Sequence, residues 1–178
     1  MNKPILLATC FAAAVSCTSL YAQASAGAGP TLAGDPIPQG DRMFVSQAGA
    51  ANLAEIELGN LAASQGQSDA VKTFANKMVT DHTAANTALD NIATPLGLDL
   101  AGRPTRRQQK SIDSLKGMSG ASFDQHYARV AERDHEDAIS LFTQEASFGT
   151  DPHLRTFAAD TLPALKQHLS MAQALPGG

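Results

Sequence analysis

Apolar residues recur along this chain at intervals of three and four. From Asp41 they fall at Phe44, Ala48, Ala51, Leu58 and Ala62, one buried stripe of a helix ending near Gly66. Ser68 and Asp69 offer an N-cap, and Val71, Phe74, Met78, Ala85, Leu89 and Ile92 continue the period to Pro95 and Gly97. The turn between these helices is short, so they are expected to form an antiparallel hairpin. Residues 97–104 read as a loop by their Gly and Pro content. Thr105 to Met118, with only Ile112, Leu115 and Met118 as anchors, reads as a short crossover helix. Gly120 is expected to break it and Ser122 to cap the next helix, whose stripe runs Phe123, Tyr127, Val130, Ala131, Ala138, Leu141 and Phe142 and stops near Gly149. Asp151 and Pro152 make a good helix start, since Asp caps free amides and Pro at the first helical position has none to lose. Leu154, Phe157, Thr161, Leu165, Ala172 and Leu175 follow, with Pro163 expected to bend this helix rather than end it because the stripe resumes in register.

No stretch alternates with period two over a useful length. The pattern predicts an all-α fold over residues 41–175: four long helices in two hairpins, joined by a crossover connection that carries a short extra helix. This is the arrangement of ferritin-like four-helix bundles.

Each long stripe is interrupted once by a polar residue that could bind a metal. The first seam reads Phe44, Ala48, Ala51, Glu55, Leu58, Ala62; the second Met78, His82, Ala85, Leu89; the third Tyr127, Ala131, His135, Ala138, Phe142; the fourth Phe157, Thr161, Leu165, His168, Ala172. A buried imidazole or carboxylate must be paired, hydrated or bound to something, or else shift its pKa until it is neutral. At about 1.5 Å per helical residue, Glu55 and His82 lie within roughly one turn of each other in depth, as do His135 and His168. Whether the two pairs share one level depends on the crossover. Three imidazoles and one carboxylate suit a transition metal such as Zn, Cu or Fe. Asp81 and Asp134 precede His82 and His135, and because adjacent helical residues point about 100° apart, each is better placed to support a neighbouring helix. The competing reading is a core hydrogen-bond network with no metal.

Other chemistries find less support. Glu132 and His135 form one Glu-x-x-His pair, but a di-iron carboxylate site needs a second such pair and two more Glu. There is no Gly-x-Ser-x-Gly and no Gly-rich phosphate loop, so no catalytic residue and no organic cofactor site is assigned. His126 and His153 fall at helix starts and are expected at the surface. Thirteen Lys and Arg against 17 Asp and Glu, net −4, argue against nucleic-acid binding, and Arg103, Arg106, Arg107 and Lys110 read as a solvated helix start.

Residues 1–24 read as a secretory leader: Lys3, an apolar run through Ile5 to Val15, then Ala22-Gln23-Ala24. Cleavage is expected before Ser25, or after Ala26 as the close second. Ala14-Val15-Ser16-Cys17 is the competing lipobox, in which Cys17 would carry lipid. Both cysteines, Cys10 and Cys17, lie in the leader, so a chain cut after Ala24 has neither a disulfide nor a thiol nucleophile. That cut also removes one positive charge, taking the net charge from −4 to −5. Residues 25–40, rich in Gly, Ala and Pro, are expected to be a flexible lead-in, and no later apolar run approaches the roughly 20 residues of a membrane span. The expected location is the periplasm or outer envelope.

Six motifs occur in order: Asp41 to Val45, Ala54 to Gly59, Phe74 to His82, Ser119 to Asp124, Asp134-His135-Glu136 and Leu162 to Leu169. Together they resemble the domain-of-unknown-function family DUF4142, exported bacterial proteins often labelled outer-membrane proteins. The resemblance spans Asp41 to Leu175 and implies a ferritin-like helical bundle and export. It implies no established activity. Three classes of function therefore stand: an envelope module holding a transition metal, a structural or stress-related bundle with a polar core, and, least favoured, a metal-dependent redox enzyme.

Overall fold

A computed structural model of the chain describes residues 36–176, and in them the fold is an all-α, ferritin-like four-helix bundle with a helix-bearing crossover. Helix α1 spans Gln39–Gln65 and α2 Asp69–Ala93; a 3-10 turn at Thr94–Leu96 leads into the crossover; α3 spans Arg106–Lys116, α4 Gly120–Phe148 and α5 Pro152–Gln173. The expected leader lies outside the described residues, as does the lead-in up to residue 35. Its last two residues, Gln39 and Gly40, are helical rather than flexible, because the Arg42 amide donates to the Pro38 carbonyl and closes a turn ahead of Asp41.

The local signals account for most boundaries. Ser68 caps α2 by accepting from the Val71 amide, and Asp151 caps α5 by accepting from the amides of His153 and Leu154. Thr105 and Gln108 close a reciprocal capping box on α3. The start of α4 differs from expectation. Gly120 does not break the chain; it is the first helical residue, at φ +65°, a left-handed value that suits glycine, and Ser119 rather than Ser122 precedes the helix. Helix α5 runs through Pro163 without interruption.

Two buried carboxylates staple the ends of the bundle. Asp124, near the start of α4, accepts from the amides of Gln67 and Ser68 at 2.8 Å each, which holds the α1–α2 turn. Asp41, near the start of α1, accepts from the amides of Thr150 and Asp151 at 3.0 and 2.8 Å, which holds the α4–α5 turn. Each hairpin thus caps the turn of the other. Hydrogen bonds to a charged acceptor contribute about 1.5–3 kcal/mol apiece, so these contacts set the hairpins antiparallel and fix their depth. The crossover carries the chain from the lower end of α2 back to the level of the α1–α2 turn. Close approach also matters where α1 meets α2, since a Cβ on Gly59 would lie 2.9 Å from the Ala75 carbonyl oxygen.

The apolar interior comes in two parts. One contains Leu58, Val71, Phe74, Met78, Ile112, Phe123 and Tyr127; the other contains Phe44, Val45, Leu89, Phe142, Leu154 and Leu165. Phe74 and Leu165 are both core, as their stripes predict. The residues that interrupt the four seams are buried with them: Glu55, His82, His135 and His168 are all within the bundle.

Candidate metal centre

Three helices each deliver one imidazole to a shared point: His82 from α2, His135 from α4 and His168 from α5. Their ring centroids are 5.6, 5.6 and 5.4 Å apart, so the two hairpins do share one level. One nitrogen of each ring is anchored. His82 Nδ1 donates to Asn52 Oδ1 at 2.9 Å, His135 Nδ1 to the Ala131 carbonyl at 2.8 Å, and His168 Nε2 to Asp81 Oδ2 at 2.8 Å. The partners are acceptors, so the proton sits on the anchored nitrogen and the opposite nitrogen keeps a lone pair. Those opposite atoms, Nε2 of His82 and His135 and Nδ1 of His168, are buried and have no hydrogen-bond partner.

A ligand atom from each ring lies within 4.8 Å of the other two. Three imidazole nitrogens sharing one ion at about 2.1 Å stand about 3.4–3.6 Å apart, so the rings must close by up to about 1.4 Å to hold it. The donor set fits a transition metal: three neutral imidazoles whose outer nitrogens are tied to carbonyl or carboxylate oxygens, which fixes tautomer and orientation. Burial pushes the His82 imidazole down to about 3, reinforced by its two imidazole neighbours, and that of His135 down to about 4. Burial also lowers His168, against the pull of Asp81. All three are therefore neutral, metal-ready ligands at pH 7.

The other expected site residues take different places. Glu55 does not join the triangle of ligand atoms. Its Oε1 is 3.8 Å from His135 Nδ1, the anchored side of that ring, and Oε2 has no partner. The hairpin pairing of Glu55 with His82 is replaced by contact across hairpins, because Asn52, three residues earlier on α1, already holds His82. Burial, then the nearby Asp134, raises the Glu55 carboxyl well above the usual carboxylate range. Asp81 supports an imidazole on another helix, His168, as the 100° argument expects. Burial acts to raise its carboxyl, but hydrogen bonds from Lys77 and His168 hold it below its ordinary value. Asp134 does not support an imidazole in this way; it pairs with its neighbour Arg133 at 3.0 Å. Of the two remaining histidines, His153 is exposed and His126 is half-buried, within 3.2 Å of the Ser114 hydroxyl. Asn52 is a site residue that the seams do not single out, although it lies four residues after Ala48 on the same helix face. A cavity of about 270 Å³ borders the three imidazoles and is lined also by Ala51, Ala85, Ala138 and Leu141.

The family model described as a domain of unknown function, DUF4142, matches residues 26–175. The chain belongs to the DUF4142 family. In this member the match runs through all five helices and so includes every residue of the three-His centre. Comparison with curated proteins finds no match. Among solved structures, the chain is similar to the crystal structure of a DUF305 fragment from Deinococcus radiodurans, with 11% identity and a TM-score of 0.69 over 79% of this chain and 97% of that one. At that identity the likeness shows a shared helical fold.

Proposed function

We propose that this DUF4142 protein holds one transition-metal ion, of the Zn, Cu or Fe class, on His82, His135 and His168. The observation that carries this reading is that His82, His135 and His168, from three helices, each place a ligand atom within 4.8 Å of the other two, and that each ring has one buried nitrogen with no hydrogen-bond partner. A buried polar atom without a partner costs about 1–3 kcal/mol, so these nitrogens call for either cavity water or an ion. An ion would satisfy all three at once. The second reading, a structural or stress-related bundle with a polar core, is supported by the anchoring bonds to Asn52, Ala131 and Asp81, which hold the rings without an ion.

Thermal melts separate the two. With an ion in thousandfold excess over its Kd, the folded state gains about 4 kcal/mol, a shift of many degrees in midpoint. The midpoint of the full chain should rise with at least one of Zn, Cu or Fe and fall back with chelator, and His168→Ala should remove the response. If no metal moves the wild-type midpoint, the polar-core reading holds.

Export to the periplasm or outer envelope belongs to the same reading and rests on the leader-like residues 1–24. No helix among the described residues is long and apolar enough to cross a membrane. Intact mass of protein recovered from the envelope fraction should give a chain starting at Ser25 or Gly27. A diacylglyceryl-modified Cys17 would instead mean a lipid tether.

A further inference from the structure

We infer that the ion on His82, His135 and His168 takes its remaining ligand from outside the chain, as water or a small monoanion bound in the adjoining cavity. The inference rests on the metal reading above and adds a second ligand to it. No nearby carboxylate belongs to the converging group of ligand atoms, although Glu55 Oε2 and Asp134 Oδ2 have no hydrogen-bond partner and both residues line the cavity. Asp81 Oδ2 already accepts from both His168 and Lys77, and Asp134 Oδ1 accepts from Arg133. Glu55 faces the anchored edge of His135 rather than its free nitrogen. The group of converging ligand atoms is accordingly all imidazole.

Three neutral imidazoles leave a divalent ion with its full charge. Buried charge without a counter-ion is costly, and a monoanion in the coordination sphere removes half of it. Three protein ligands plus an exchangeable fourth is also how open zinc sites are built, whereas closed structural sites use four protein ligands. The room is present. The cavity of about 270 Å³ touches all three imidazoles; Ala85, Ala138 and Leu141 line part of it, and Glu55, Asp81, Asp134 and Asp137 also lie on its wall. At about 30 Å³ per water, it holds several solvent molecules or one small anion with its water. Its rim carries Arg107 on α3, ion-paired with Asp137 on α4, both half or more exposed, which puts the opening beside a guanidinium and in contact with solvent.

The test uses the full chain loaded with Co(II), with metal content measured first, and sodium azide as the probe. Azide should change the visible d–d spectrum in a saturable way, with a stoichiometry of one per ion. Ala138→Phe, which fills the cavity one turn from His135, should bind Co(II) but weaken azide at least tenfold; Ala85→Met does the same from α2 if the first variant does not fold. A loaded protein whose spectrum ignores azide overturns the inference and leaves the metal site standing. The inference fails equally if Glu55→Gln lowers Co(II) affinity as much as loss of a histidine does, because the fourth ligand is then Glu55. A chain that takes up no Co(II) and no other tested metal overturns the metal reading and this inference with it.

Discussion

His135→Ala is expected to lower the affinity of the full chain for Zn or Cu by more than about 100-fold, and Asp81→Ala by about 10-fold. The gradation follows from what each residue touches. His135 offers the ion a nitrogen directly, and its ring is held in place by the Ala131 carbonyl, so truncation removes one of the three converging donors outright. Asp81 acts through His168 by fixing its proton on Nε2, and the loss of an outer partner of this kind typically costs 10- to 100-fold. Competition against a chromophoric chelator reads both. His153→Ala serves as the control, since that histidine is exposed at the start of α5 and stands outside the three-His group. If adventitious surface binding were the source of affinity, His153→Ala would weaken it and the two site variants would not fall in this order. If all variants match the wild type, the three imidazoles form a core network and bind no ion.

The fold was legible because helical seams are written locally. Val71, Phe74 and Met78 mark the buried face of α2 whatever packs against it, and Ser68 and Asp151 announce the helices that follow them. Placement of the site was legible for a related reason. A histidine in place of an apolar residue at the helical period has to lie inside, and His82, His135 and His168 do. What the seams do not carry is the relative depth of the two hairpins, which is set by the reciprocal caps of Asp41 and Asp124, whose partners lie 110 and 57 residues away in sequence. Glu55 shows the consequence. Its burial followed from its position, but the ring edge it faces depends on how α1 lies against α4. Asn52 sits at a helical spacing from Ala48 but its amide carries no metal-ligand signal of its own; only the distance to His82 gives it a role. The start of α4 slipped for a different reason: glycine at φ +65° opens that helix, where a glycine in sequence more often reads as a stop.

Acid should release the ion later than ordinary imidazoles would. A site of unperturbed histidines loses affinity below about pH 6, the expectation from sequence alone. Burial lowers His82 to about 3 and His135 to about 4, so the folded protein keeps its lone pairs free and should retain metal to about pH 4–5. The cost appears instead in the stability of the metal-free form. A histidine whose folded pKa lies below its unfolded value of about 6.5 contributes fully above pH 6.5. As pH falls towards 4 the unfolded chain binds protons that the folded one refuses, and each such histidine costs about 1.4 kcal/mol per pH unit. The raised carboxyls act in the opposite sense. Glu145 is pushed up to about 7 by burial and then by Asp41 and Asp151, and Glu55 stands well above its ordinary range, so both favour the folded state as pH falls from 7 towards 4.5. Glu145 lies at the α4–α5 turn, away from the imidazoles, so Glu145→Gln removes one opposing group and leaves the site intact. In chelator, urea titrations of Glu145→Gln should show stability falling by roughly 1–2 kcal/mol between pH 6.5 and 5, with a smaller fall for the wild type. Metal loss centred near pH 6 together with a flat stability profile in Glu145→Gln would mean that His82 and His135 titrate as solvated imidazoles, and burial would not be what sets their protonation.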